Sequence, residues 1–443
     1  ISLGRVGSIS FDSVQYFSYG KNLLLSGVYG EFPGVPDMNR EPGYGFFLAS
    51  IFASLRGAGL LSSHEAASEL SSIFWVKFIQ AFFLYVSAWL CAFHAGLPKR
   101  ISWPLFLIAI LSPSTMGASR EIYSEALSIP LSFLLLFFLS RAIQGGGTKA
   151  YFGLGLCQEL VVLTKSYLYP VSLLALAARP LFYFRPIWRR GLQIAIPLAL
   201  GGLLAQKAWD IRNQRMLGES GHQARKSIAL AGKIARINRV NWAEDWKIAL
   251  AGSLGTNFCD KLYGGELCSR FDYRGCDEIG LQTLAEYRSR FGSGFEADRH
   301  IQKDMIQLFF HRPLTQLLGN GLELLRMFFF EAVLDSTTFP KPMQGFLRAW
   351  HILGSGLFWI FILASWTQFW LQKDSSGAER SIFLLCAGFI AYHAATMSQI
   401  TNVVRYVFPI LPFLYYFVAD GISTALERIS AWRAKRKNRI LAT

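Results

Sequence analysis

Charged side chains are scarce in this sequence. Asp, Glu, Lys and Arg make up 16% of the 443 residues, where a soluble globular chain carries roughly 25%, so an ordinary water-soluble enzyme is excluded. Histidine is thin as well. His64, His94, His222, His300, His311, His351 and His393 are scattered, no two at metal-ligand spacing, and they suggest no histidine metal site. Six cysteines are too few for a disulfide-dense secreted scaffold. There is no Gly-X-Y period and no internal repeat, inverted or parallel, which removes collagen and gives no sign of paired transporter halves.

What is abundant is apolar. Hydrophobic residues reach 52%, with 37 Phe and 12 Trp, and the mean hydropathy is +0.31. That load suits lipid-facing helices and interfacial belts and argues for one all-α polytopic membrane unit. The net charge of +15 invites a nucleic-acid reading, but its distribution excludes one. The densest basic run is Arg428, Arg433, Lys435, Arg436, Lys437 and Arg439, directly after an apolar segment. Smaller clusters occur at Lys99–Arg100, 141–149, 185–190 and 373–380, each in a short link between apolar stretches. This is the positive-inside pattern of cytoplasmic links; a nucleic-acid binder would gather its basic residues on one soluble face.

A spanning helix needs about 20 apolar residues. The segments that qualify are 73–96, 101–118, 125–141, 191–209, 346–371, 382–399 and 404–421. The stretch 151–183 is apolar but interrupted by Lys165 and Pro170, and reads as two short helices meeting near Lys165, a break tolerated only where protein or a cavity surrounds it. Residues 42–57 are too short to cross, and 313–333 are interrupted by Glu323 and Arg326; both read as interfacial. The organisation expected is an external first loop with interfacial helices (1–72), membrane helices (73–209), an external lobe plus interfacial helix (210–345), C-terminal membrane helices (346–421) and a basic cytoplasmic tail (422–443). The chain begins at Ile1 rather than Met, so an upstream targeting segment or first membrane helix is expected.

Cys91, Cys157 and Cys386 sit in apolar segments as packing residues. Cys259, Cys268 and Cys276 cluster in the polar region 210–311, a lobe or an irregular lid, in a Gly-rich, turn-forming stretch. In an oxidising compartment this favours one disulfide, Cys259 with Cys268 or Cys276, over a zinc site that lacks a fitting His.

On the predicted outer side, Asp12 opens an aromatic-rich helix, and Arg40 precedes Pro42-Gly43-Tyr44 after a polar loop. A plain alternative is that Asp12 is a helix cap. Further along stand Ser119-Arg120-Glu121-Ile122-Tyr123-Ser124-Glu125, then Ala208-Trp209-Asp210-Ile211-Arg212-Asn213, then Arg405-Tyr406 with Pro409 and Pro412. Taken in order, these resemble the external motifs of the GT-C superfamily of integral-membrane glycosyltransferases, in the bacterial branch near glycosyltransferase family 39, with the protein mannosyltransferases and lipid A aminoarabinose transferases. The resemblance runs from Asp12 to about Ala419. It departs from the family's pattern at Ala208 and Gly45, where prolines are usual, and lacks the family's first span.

The resemblance implies a polyprenyl-phosphate sugar as donor and a glycan, lipid or protein acceptor, joined at the outer face of a bacterial inner membrane with the C-terminus cytoplasmic. Attack by the acceptor hydroxyl at the sugar's C1 needs a carboxylate to take the proton: Asp12, with Glu125 as the second catalytic carboxylate, orienting the sugar or Asp12. The departing phosphate needs fixed cations in a water-shielded site: Lys165, Arg212 and Arg405. Arg40, Tyr44, Arg120, Glu121 and Tyr406 are the candidates to orient substrate. Snorkelling to the interface is the plain alternative for Arg212 and Arg405, and surface pairing for Arg120 with Glu121. No cofactor is required, although carboxylates could hold a divalent cation at the phosphate. The rival readings are a transporter or flippase for a lipid-linked or anionic substrate, and a lipid-linked glycan ligase.

This topology is tested with single cysteines at Ser8→Cys, Ser220→Cys and Ser430→Cys. The first two should react with an impermeant thiol reagent from one side of the membrane and the third from the other; equal labelling of all three from outside overturns it.

Overall fold

The computed structural model describes residues 11–61, 70–165, 196, 207–218, 225–239, 242–254, 256–269, 273–292, 295–329, 341–371, 377–398 and 409–442. Among them every regular element is a helix and there is no strand. The first two, α1 (Phe11–Ser26) and α2 (Pro42–Gly57), pack face to face: Gly20 sits against Leu48 and Phe52, and the Phe17 and Phe52 rings meet at 4.9 Å. α2 starts at Pro42 after an extended Glu41, the helix position where proline's missing N–H costs nothing. At 16 residues it is too short to cross a membrane, yet Leu48, Phe52 and Leu55 join the same core as the long helices.

Next come α3 (Leu70–His94), α4 (Lys99–Leu111), α5 (Pro113–Arg120), α6 (Glu125–Ile143) and α7 (Gly147–Thr164). α3 and α6 are long and apolar enough to span. Of the apolar window, 72% is buried in α6 and 44% in α3, so α6 is central, while α3 turns Phe78, Phe82 and Trp89 outward. The span expected at 101–118 is built of two helices, α4 and α5, bent by 49° at their junction, as a broken span or a re-entrant loop. Pro113 offers no N–H to continue the ladder and drives Ser112 to extended ψ 127°. The Ser112 hydroxyl then caps α5 by accepting the Ser114 N–H at 3.2 Å. The break expected near Lys165 is present: α7 stops at Thr164 and Lys165 is extended, with φ −147°. Residues 166–183 lie outside the described residues, as does most of 191–209; 207–217 form helix α8.

The polar region holds α9 (Arg225–Arg239), α10 (Trp242–Leu254), α11 (Thr256–Tyr263), α12 (Gly265–Ser269), α13 (Tyr273–Phe291), α14 (Phe295–His311) and α15 (Pro313–Phe329). Leu230, Ile234, Leu284, Ile301 and Met305 from α9, α13 and α14 bury one another in a small core of their own, so this region contains a lobe. The cysteine stretch is helical rather than looped; its turn propensity is used at Gly264, whose φ of 85° ends α11. Cys259 and Cys268 form a disulfide with Cα atoms 5.8 Å apart, which selects one of the two expected pairings; the Cys276 side chain lies outside the described residues. α15 has 17 residues and exposes Leu314, Leu317 and Leu318, an apolar face on a helix too short to count as a span.

The chain closes with α16 (Lys341–Leu371), α17 (Gly377–Ser398) and α18 (Leu411–Ala442). α17 is the third helix long and apolar enough to cross, and the α4–α5 pair makes a fourth if taken as one broken span, the pattern of a multi-pass membrane protein. On α16, Leu353, Leu357, Ile360 and Leu363 are exposed in one stripe, although its apolar part, Gly356–Leu371, is shorter than a full span. α18 runs unbroken from Leu411 to Ala442, through the described part of the expected last span and into the basic tail.

Contacts sort the bundle into two ends. At one, Gln144 Nε2 donates to the Gly96 carbonyl at 2.7 Å, and Arg100 meets Asp420 at 3.5 Å and Glu427 at 3.4 Å; the basic links 99–100 and 141–149 gather here. At the other lie α1, α2, the 120–125 link, Lys165 and the start of α18, where the Tyr415 hydroxyl donates to Ser112 Oγ at 2.6 Å.

α18 lies tight against α16 at Gly421, where any Cβ would overlap the Phe361 carbonyl. Gly421→Ala should therefore destabilise the bundle by about 1–3 kcal/mol. Gly388→Ala, with nothing within 4 Å, should be neutral or slightly stabilising. Thermal melts in detergent compare the two.

Candidate functional site

The site begins in the first turn of α1. Asp12 Oδ1 lies 2.6 Å from Arg40 Nη2, 28 residues along the chain. The two side chains are only 16% and 7% exposed, so water screens the pair weakly. Arg40 also donates to Gln15 Oε1, from Nε at 3.2 Å and from Nη2, and its guanidinium lies 4.9 Å over the Tyr16 ring. Asp12 is thus ion-paired as well as placed in the first turn of α1, and Arg40 bonds both it and Gln15.

Tyr16, one turn after Asp12, joins this pair to a second one. Its hydroxyl donates to Ser124 Oγ at 3.1 Å, which donates to Glu125 Oε2 at 3.3 Å. Glu125 Oε1 accepts from Lys165 Nζ at 3.0 Å, and this pair is buried, at 2% and 8% exposure. Local structure dictates the meeting. Glu125 opens α6, where the helix dipole favours a carboxylate, and Lys165 follows the end of α7, where it favours a cation. The antiparallel packing of α6 on α7 sets those two ends side by side.

Tyr16 also meets Tyr44 edge-on at 5.1 Å. Gln80 Nε2 on α3 donates to the Tyr44 hydroxyl and to the Glu121 carbonyl, each at 3.1 Å. Burial pushes the Tyr44 hydroxyl well above the usual phenol range, so it stays protonated. Gly43 fits α2 against the end of α7: a Cβ there would lie 2.7 Å from Thr164 Oγ1 and 2.9 Å from the Leu163 carbonyl oxygen. The Pro-Gly-Tyr turn therefore seats Tyr44 beside the residue that precedes Lys165.

Arg212 reaches the first loop. From α8, Nη2 donates to the Tyr29 carbonyl at 2.7 Å, and Nη1 to the Asp37 carbonyl at 3.1 Å and to Asn213 Oδ1 at 2.7 Å. Its guanidinium also covers the Trp209 ring at 4.8 Å. It braces the first loop. Asn22 adds bonds to the Gly30 and Glu31 carbonyls at 2.9 Å, and the Tyr19 hydroxyl bonds Asp37. Burial, reinforced by that bond, keeps the Tyr19 hydroxyl far above the ordinary phenol range.

Asp12, Arg40, Tyr44, Glu121, Glu125 and Lys165 therefore fall into one connected region, with Arg120 next to Glu121 and half-buried. Arg405 and Tyr406 lie outside the described residues. Gln15, Tyr16 and Gln80 were missed from sequence, and Ser124 was read only as part of the 119–125 motif. Gln80 had a readable signal, as an amide within an apolar span; Tyr16 is hidden among the aromatics of α1. Among the described residues no cluster of three His, Cys, Asp or Glu side chains could hold a metal ion. No protein-family profile and no curated protein sequence matches the chain.

Removing one partner of the Lys165–Glu125 pair leaves a buried charge without its counterion, which costs about 3–5 kcal/mol. Lys165→Met and Glu125→Gln should each lower stability on that scale. The double variant should recover much of the loss, because two neutral groups need no counterion. A double-mutant cycle of denaturation free energies that is simply additive would refute the coupling.

Proposed function

We propose that the protein transfers a sugar from a polyprenyl-phosphate carrier to an acceptor hydroxyl at the outer face of a bacterial inner membrane, as a GT-C-type glycosyltransferase. The observation that supports it best is the Asp12–Arg40 pair, tied through Tyr16 to Glu125–Lys165 at the end of the bundle opposite the basic links. A transporter would be expected to place its charged groups near the midplane.

In the proposed reaction, the acceptor oxygen bonds to C1 of the sugar while the C1–phosphate oxygen bond breaks, with inversion. The acceptor's proton passes to the Asp12 carboxylate, and polyprenyl phosphate leaves with the electron pair of the broken bond. Arg40 and Gln15 hold Asp12 in one orientation, since Arg40 bonds both, so little reorganisation is needed as charge moves. Glu125 and Lys165 form a buried charge pair behind it, and Tyr44, Arg120 and Glu121 border the substrate. Arg405 and Tyr406, at the start of the last span, are assigned to the departing phosphate on the motif resemblance. Arg212 acts through the loop it braces rather than on the phosphate. The reaction as written needs no metal ion.

The test is turnover of a radiolabelled polyprenyl-phosphate sugar by the protein in lipid nanodiscs, alongside mass spectrometry of the lipid that co-purifies. Asp12→Asn keeps the shape but removes the base, so turnover should fall about 10²–10⁴-fold with donor binding kept. Near-normal turnover would reduce Asp12 to a structural partner of Arg40 and make Glu125 the next base to examine.

A further inference from the structure

α3 carries a lysine whose surroundings differ from those of the other cations at this end. Arg40 and Lys165 each hold a carboxylate. Lys77 is 6% exposed, and among the described residues it forms neither an ion pair nor a hydrogen bond. The charges of Glu121 and Arg120 act on it, but Glu121 stays beyond ion-pair distance. An ammonium in an apolar helix is costly, and such residues pair or mark a ligand's path. A methionine would fill the same space without that cost.

A second orphan sits one turn along. Gln80 Oε1 is buried and has no donor among the described residues. Its orientation is not arbitrary, because Nε2 donates to the Glu121 carbonyl, which can only accept; a flipped amide would set two acceptors face to face. Lys77 and Gln80 stand three residues apart on one helix face, about 5–6 Å between Cβ atoms. The pair therefore presents a cation in want of an anion and an acceptor in want of a hydroxyl. A phosphate bonded to a polyhydroxylated group supplies both at that separation.

We propose that Lys77 is the seat of a phosphate group, with Arg120 beside it and Gln80 Oε1 receiving a hydroxyl from the sugar that phosphate carries. The placement is coherent, since Gln80 also bonds Tyr44, whose ring lies against Tyr16 of the Asp12 region. The identification of the phosphate as a lipid-linked donor rests on the function proposed above; the seat itself rests on Lys77 and Gln80. Arg212 is occupied with loop carbonyls and Lys165 with Glu125, so Lys77 takes over a role that the motif resemblance had given to them.

The experiment measures binding by the full chain in nanodiscs of wild type, Lys77→Met, Lys77→Arg and Asp12→Asn. The probes are polyprenyl phosphate, inorganic phosphate and phosphatidylglycerol, read by affinity and by ligand-induced shift in melting temperature. Polyprenyl phosphate should bind wild type and Asp12→Asn alike. Lys77→Met should bind it about 10- to 100-fold more weakly, the scale of a lost charged hydrogen bond, and Lys77→Arg should recover much of the difference. Ligand-free Lys77→Met should melt at the same or a higher temperature, a split that a merely structural lysine would not produce. Unchanged binding by Lys77→Met, or a lowered ligand-free melting temperature, overturns the seat and leaves the sugar-transfer reading standing. Lys77-dependent binding of inorganic phosphate or phosphatidylglycerol without polyprenyl phosphate supports the seat and removes the lipid-linked donor. Binding of none of the three by wild type overturns both.

Discussion

The buried pair between Lys165 and Glu125 is the constraint around which this end of the bundle is organised. It ties the break after α7 to the start of α6, the most enclosed of the candidate spans. Glu125 must face Lys165 for either charge to be tolerated at such burial. That fixes the rotation of α6 and brings Ser124 within reach of Tyr16. Tyr16 then settles how α1 lies on the bundle, and Arg40 follows by stacking on its ring. The first loop is thus fastened at two points: by Tyr16 to the α6 start, and by Arg212 to the carbonyls of Tyr29 and Asp37.

This arrangement separates two uses of positive charge. Arg40 and Lys165 position carboxylates, and Arg212 positions backbone. The two ion pairs are short and nearly enclosed, and the Arg212 contacts are part-buried, so each cation is held by what it already touches. The same residue types at the opposite end do something else: Arg100 bridges Asp420 and Glu427, while Ser365 and Ser423 bond Asp420 and the Arg100 carbonyl at 2.7 Å. That cluster locks α4, α16 and α18 together.

Legibility from sequence followed the physics of each signal. The long apolar helices could be read because lipid demands an unbroken run, and α3, α6 and α17 lie where hydropathy puts them. The break at Lys165 was visible because a charge followed closely by Pro170 is conspicuous in an apolar stretch. The bend at Ser112–Pro113 was hidden by continuous apolarity on both sides, although the proline that causes it stood in plain view. The helical cysteine stretch was obscured by glycines that mark one turn rather than a loop. The positions of Asp12, Arg40, Glu125 and Lys165 could be singled out, but their pairing could not: the partners are 28 and 40 residues apart. The bracing of the first loop by Arg212 was unreadable in principle, because the acceptors there are main-chain carbonyls 183 and 175 residues away, and carbonyls have no sequence signature.

The two ion pairs flanking Tyr16 carry a further consequence for how a ligand is felt from a distance. Formally, Asp12 cancels Arg40 and Glu125 cancels Lys165, so these four residues present the approaching molecule with two short dipoles rather than a monopole. A dipole's potential falls off with the square of distance and depends on its direction, so neither pair draws an anion in from the bilayer surface; each acts only once contact is close. In this geometry capture and reaction are separate electrostatic events. Long-range attraction falls to whichever cation keeps its charge uncancelled, while the neutral pairs are left to discriminate at contact, by orientation.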